Sequence, residues 1–136
     1  MSQNNPSNYA KAIQYQLASI VSPIPVYANF NRNFATEPTF ITWQLRNVHQ
    51  PVYTGPQSVK GIDTPVFQMS IFSQNMVTAF DVSNTILQAL HGYQGQFGGS
   101  TGFWIAKADV IWLYNTFDDT IGLQQIILDC TLDIPT

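Results

Sequence analysis

The chain is 136 residues long, and only 10% of them are charged, against about 25% in an average soluble domain. It carries 5 basic and 8 acidic side chains, for a net charge of −3, and 45% hydrophobic and 13% aromatic residues, for a mean hydropathy of −0.01. This argues against a nucleic-acid binder of the basic-patch kind, which needs clustered Lys and Arg, and against a disordered chain, which lacks the apolar residues for a core.

One domain over residues 1–136 is expected, burying about 68% of its unfolded surface. Its polarity is neutral, in 13 Gln, 10 Asn, 12 Thr and 9 Ser. Interface cores are depleted in Lys, Glu and Asp, so a charge-poor surface fits one that neighbouring subunits cover. The first residues have neither the basic nor the apolar region of a signal peptide. No apolar run approaches the roughly 18 residues of a membrane span. Cys130 has no second cysteine to pair with. A protein folded in a reducing cytoplasm, away from membranes, is expected.

Residues 1–6 are polar and expected to be loose. Ser7 or Asn8 can then cap a helix in which Tyr9, Ile13, Leu17 and Ile20 form an apolar stripe that Pro23 and Pro25 end. A short strand is expected over Val26–Phe30, then a loop over Asn31–Pro38. Thr39–Asn47 alternates as a half-buried strand, with Ile41, Trp43 and Leu45 on one side and Thr42, Gln44 and Arg46 on the other. His49–Asp63 holds Pro51, Pro56, Gly55 and Gly61. It is long for a connection, and such loops are commonly functional. Val66–Phe72 alternates again.

Ser73 or Asn75 caps a second helix with Met76, Ala79, Val82, Ser83, Ile86 and Leu90 inward, and Gly92 just past its end. Gln94–Gly102 is Gly-rich and reads as a flexible connection. Phe103–Leu113 is one long strand, Tyr114–Gly122 a turn, and Leu123–Leu132 the last strand, with Ile127 as the odd apolar residue on its outer face. The order α-β-β-β-α-β-β describes an α+β domain: four to five antiparallel strands with two helices packed on one face. The long strand is apolar on both sides, Trp104, Val110 and Trp112 against Phe103, Ile105, Ile111 and Leu113. Either a neighbouring subunit or a folded-over loop must cover the second sheet face. Trp104, Trp112 and Ile127 are therefore the candidate contacts on that face.

Candidate chemistry is sparse. His49 and His91 lack partners at metal-ligand spacing, and His91 suits a helix C-terminus. Cys130 on an apolar strand face is a poor nucleophile. The glycines at 95, 98, 99 and 102 lack the Lys of a phosphate loop. Asp118–Asp119 is the one adjacent acidic pair, and consecutive turn residues rarely converge on a metal. No catalytic residue, metal or cofactor is expected.

Three segments carry a family resemblance: the opening helix leading into SPIPVYANF, the stretch EPTFITWQL, and the ending WLYNTFDDTIGLQQIILDCTLDI. Across residues 8–134 they resemble the tail-completion or tail-terminator proteins of tailed bacteriophages, a minor-tail and neck family. The loop 49–63 and the stretch 94–102 depart from its pattern. The resemblance implies a non-enzymatic virion protein, assembled in the host cytoplasm as a homo-oligomeric, hexameric ring at the head–tail junction. Such a ring caps the tail tube, meets the head connector or head-closure protein, and lets double-stranded DNA pass without sequence preference. On that footing Asp118 and Asp119 are pore or ring-surface candidates. Gln50, Val52, Tyr53 and Lys60, in the long loop, are candidates for contact with a neighbouring ring or subunit. A head-closure or other neck component, and in a different class a small cytoplasmic ligand-binding domain, remain as alternatives.

Overall fold

The computed structural model describes residues 6–32, 34–49 and 62–135. Helix α1 spans Pro6–Val21 and starts in the segment expected to be loose. A proline is accommodated there because the first turn needs no N–H donor. Tyr9, Ala12, Ile13, Leu17 and Val21 are buried along one side. Strand β1 is short, Val26–Ala28, and pairs with β2, Thr39–His49. This pair is parallel, against the expected antiparallel arrangement. Asn29, at φ 66°, and the segment to Pro38 return the chain to the end from which β1 set out. A parallel pair requires such a crossover.

Strand β3 spans Ile62–Ser73 and pairs antiparallel with β2, so the long connection shortens to residues 50–61. Helix α2, Met76–Leu90, begins at Asn75, whose side chain accepts the Val77 and Thr78 N–H groups. Its buried stripe is Ala79, Val82, Ser83, Ile86 and Leu90, while Met76 in the first turn is exposed rather than inward.

The Gly-rich stretch is folded rather than flexible. It forms β4, Gly95–Phe97, and a single 3₁₀ turn at Gly99–Thr101, and pairs with β5, Phe103–Ile105. Phe97 is fully buried and stacks on Phe103, which meets Tyr9 of α1 edge-on. The expected single strand 103–113 therefore breaks at Ala106, whose N–H bonds Asp133 O at 2.8 Å. Strand β6 follows over Lys107–Asp118, five residues into the expected turn region, and β7 over Leu123–Pro135.

The described residues form a sheet in the order β1-β2-β3-β7-β6 beside the small β4-β5 hairpin. Both helices pack on one sheet face. Its core joins Ile41 and Trp43 of β2, Phe67, Met69 and Ile71 of β3, Leu128, Cys130 and Leu132 of β7, and Ala108 and Val110 of β6. Each fully buried large side chain there contributes about 1.5–3 kcal/mol.

Candidate assembly surface

A sheet edge is a row of unpaired backbone groups, and folded proteins blunt or cover it. The β1 edge is blunted. It is three residues long, preceded by Pro23 and Pro25 and followed by Asn29 in the left-handed region. Beyond it, β2 carries a bulge between Leu45 and Asn47.

The β6 edge is sealed only in its first half. The chain leaving α2 turns at Gly92 (φ 81°) and lies along it. Gly92 N–H bonds Ala108 O at 2.8 Å, and Ala108 N–H bonds Tyr93 O at 3.0 Å. Val110 N–H is accepted by Nδ1 of His91 at 3.1 Å. That nitrogen also lies 3.5 Å from Asp109 Oδ1. An Nδ1 that accepts a backbone N–H carries no proton to share with a carboxylate, so the backbone contact defines this histidine's role.

From Ile111 onward the seal ends. Residues 111–117, IWLYNTF, are all exposed and hold no charge, proline or glycine. Ile111 is 52% exposed and Phe117 51%. The register shifts between Trp112 and Tyr114, leaving Leu113 as the extra residue of a bulge. The apolar surface continues onto α2, where Phe80 stacks on Trp112 at 6.0 Å and Val77 is exposed. An open strand of this composition invites pairing with another chain.

The sequence-derived candidates are distributed as follows. Asp118 closes β6, and its Oδ1 accepts the Thr120 N–H at 3.0 Å. Asp119 is exposed on the adjoining turn. Both stand at the open end of the edge. Trp104 is exposed, but on the β4-β5 hairpin, opposite Gln96, not on the main sheet. Trp112 stands opposite Leu128 on the helix side, stacked on Phe80. Ile127 is not exposed. It lies on an inner strand between Ser70 of β3 and Tyr114 of β6 and is only 4% accessible. The three therefore do not form one apolar sheet face. Gln50, Val52, Tyr53 and Lys60 lie outside the described residues.

The face away from the helices is polar along its middle. Gln44 Nε2 reaches Gln68 Oε1 at 3.3 Å, and Gln125 Nε2 reaches Ser70 Oγ at 3.4 Å. Arg46 Nη1 reaches Asp129 Oδ2 at 2.5 Å. At one end a loop folds over it, as one of the two expectations required. Phe40 and Phe72 stack there at 5.0 Å, and Phe34 and Asn31 line the same crevice. Glu37 clamps the loop, accepting from Tyr27 Oη at 2.5 Å and Asn31 Nδ2 at 3.2 Å. The hydrogen bond to this carboxylate raises the Tyr27 pKa, with burial adding to it. The crevice holds only about 60 Å³, well below the roughly 300 Å³ at which ligand pockets begin. A cleft of about 380 Å³ between α1 and the hairpin is mixed in character, lined by Asn8, Lys11, Ala12, Tyr15, Gly98, Thr101 and Gly102.

Cys130 is fully buried, and burial first, then Asp109 and Asp129, pushes its thiol up to about 12. Among the described residues no three His, Cys, Asp or Glu side chains converge to hold a metal ion.

No family model and no curated protein matches the chain. Solved structures do. A chain from the virion of a native gene transfer agent particle superposes with a TM-score of 0.56 over 95% of this chain and 92% of that one, at 14% identity. The sheath/tube terminator of an extracellular contractile injection system (PVC), in its extended state, superposes with a TM-score of 0.56 at 10% identity. It covers all of this chain, which spans 58% of that protein. The chain shares its fold with both of these proteins. The α+β architecture and element order expected from the sequence are those observed.

Proposed function

We propose that this chain is a non-enzymatic structural protein of a phage-type virion: a tail terminator that assembles as a hexameric ring on the end of the tail tube, stops its growth and joins it to the head connector. The observation that carries this reading is an open, uncharged β6 edge on a terminator-type fold. A ring needs heterologous contacts, in which one surface of each copy meets a different surface of the next. An exposed strand edge supplies one half of such a contact. Each copy adds −3 to the ring. An acidic lumen repels DNA phosphates and lets a duplex slide through without sticking. In this reading Asp118 and Asp119 belong to a ring surface, Trp104 and Trp112 to subunit contacts, and Gln50, Val52, Tyr53 and Lys60 to contact with the neighbouring ring. The assembled ring resides at the head–tail junction of a virion built in the host cytoplasm.

The test is to add the purified chain to its own polymerising tail-tube protein. Tubes should stop growing and carry a ring at one end in electron micrographs. Tubes that lengthen at the same rate, with bare ends, would refute the proposal.

A further inference from the structure

The strand ladder leaves a second open edge besides the end of β6. β1 lies against β2 only from Ile41 to Trp43. There Ile41 N–H bonds Pro25 O at 3.0 Å, and Asn29 N–H bonds Trp43 O at 2.7 Å. The far side of β1 is closed by its own chain, since Val26 O accepts Gln14 Nε2 at 2.9 Å and Ala28 O accepts the Phe30 N–H at 2.7 Å. Past Trp43, residues 44–49 of β2 have no strand on that side among the described residues. Gln44, Arg46, Asn47 and His49 are exposed there, and Leu45 and Val48 are half-buried against the core.

Alternation along each strand shows which backbone groups face out. Ile41 and Trp43, which bond toward β1, stand opposite Ile71 and Met69 of β3. Past the bulge, Val48 stands opposite Pro65 in the same phase, so its N–H points away from β3. On β6, Ala108 and Val110 turn their N–H groups away from β7 and stand opposite Leu132 and Cys130. Past that bulge, Asn115 stands opposite Ile126 in the same phase, so its N–H points outward too.

Three antiparallel steps separate β2 from β6, so the two run in opposite directions. In two copies of like orientation, β6 of one meets β2 of the next antiparallel, the better-bonded geometry. β6 ends at Asp118, which lets it lie along the open part of β2 and stop where Asn29 closes β1. The chemistry is complementary. Residues 44–49 hold Arg46 and His49 and no acid, and residues 111–119 hold two aspartates and no base. Phe117, 51% exposed, stands on the helix side, as do Leu45 and Val48.

We propose that the end of β6 in one copy, Tyr114 to Asp118, adds antiparallel to residues 45–49 of β2 in a second copy, with Asn115 beside Val48, Phe117 over Leu45, and the aspartates beside Arg46. Because the two edges are unlike, the contact is heterologous, repeats head to tail and closes a ring. The proposal rests on the terminator reading and adds which two edges of the chain meet.

A cysteine pair tests it in the full-length chain, alone and on capped tail tubes. Asn47, opposite Val66, and Thr116, opposite Gln125, share the sheet face away from the helices. In the proposed contact they stand opposite each other. Within one chain three strand steps, about 14 Å, separate β2 from β6. A disulfide needs Cα atoms within about 7 Å, so Asn47→Cys and Thr116→Cys cannot bridge internally. Mild oxidation of the double variant should give a ladder of covalent multimers, and each single variant should give none. Cys130 is buried and takes no part. Independently, Asn115→Pro removes an N–H that no strand of its own chain uses, which an edge strand tolerates. It should melt cooperatively like the parent, weaken self-association by about tenfold or more, and abolish the ladder when added to the cysteine pair. Oligomers by light scattering, or capped tubes, without a ladder would overturn this contact and leave the terminator reading standing. A folded Asn115→Pro variant that assembles like the parent would overturn it as well. Covalent dimers from Thr116→Cys alone would do the same, by revealing a symmetric contact. A chain that stays monomeric and never caps tail tubes would overturn both.

Discussion

Gly98 tests whether the Gly-rich segment is a packed element rather than a connection. It sits at φ 86°, with its N–H donated to Gln16 Oε1 at 3.0 Å, where the hairpin meets α1. A Cβ placed on it would stand 2.6 Å from Ala12 Cβ and 2.8 Å from Ala12 Cα. The second of these atoms is helix backbone and cannot swing away. Gly98→Ala therefore incurs the left-handed strain of a non-glycine residue, about 1–2 kcal/mol, and an overpacking cost of about 1–3 kcal/mol. A loss near 3 kcal/mol is expected, a large fraction of the 5–15 kcal/mol typical of a whole domain. That corresponds to a melting point lower by about 10 °C for a chain of this size. Urea unfolding followed by tryptophan fluorescence measures it, with buried Trp43 as a reporter. Gly92→Ala is the control. Its φ is also positive, at 81°, but a Cβ there meets nothing within 4 Å, so only the strain of about 1 kcal/mol applies. Equal losses in the two variants would mean that the hairpin does not press on α1, and would refute the reasoning.

Three further outcomes are expected. Tyr9→Phe removes the hydroxyl that donates to the buried Asp63 carboxylate, joining α1 to the start of β3, and should cost about 1.5–3 kcal/mol in chemical denaturation. A loss below about 0.5 kcal/mol would count against that bond. Cys130 should resist thiol reagents until the chain unfolds. Because its folded pKa is raised from 9.0 to about 12, its neutral form stabilises the fold fully below pH 9, and that contribution is lost as pH rises from 9 through 12. The stability difference between the parent and Cys130→Ala should be flat below pH 9 and move against the parent above it, whereas a flat difference throughout would contradict the burial argument. Deleting residues 52–60 leaves five residues between His49 and Thr64, the last pair of β2 and β3, a length that hairpins accommodate. The variant should fold with a nearly unchanged melting point and fail to join heads to tails, and normal virion yield would remove that loop from the joining surface.

Periodicity made much of the fold legible. Tyr9, Ile13 and Leu17 at helical spacing, and Phe67, Met69 and Ile71 at strand spacing, are all buried, because each element has one covered face and its pattern reports that face directly. The Asn75 cap and the glycine beyond α2 were legible for the same local reason. Local pattern says nothing of which element lies alongside. The parallel β1, the break at Ala106, the hairpin over 95–105 and the burial of Ile127 all depend on neighbours distant in sequence.

The assembly surface divides in the same way. By itself the sequence determined a charge-poor apolar run at 111–117, ended by two aspartates, and two amphipathic helices to cover a sheet. Only the tertiary structure decided that His91, Gly92 and Tyr93 close the backbone of β6 as far as Val110 and no further, and that β1 stands level with the open half on the opposite edge. The physical reason is that a residue's type is carried by the chain, whereas the satisfaction of its backbone N–H and C=O is set by whatever the fold brings beside it.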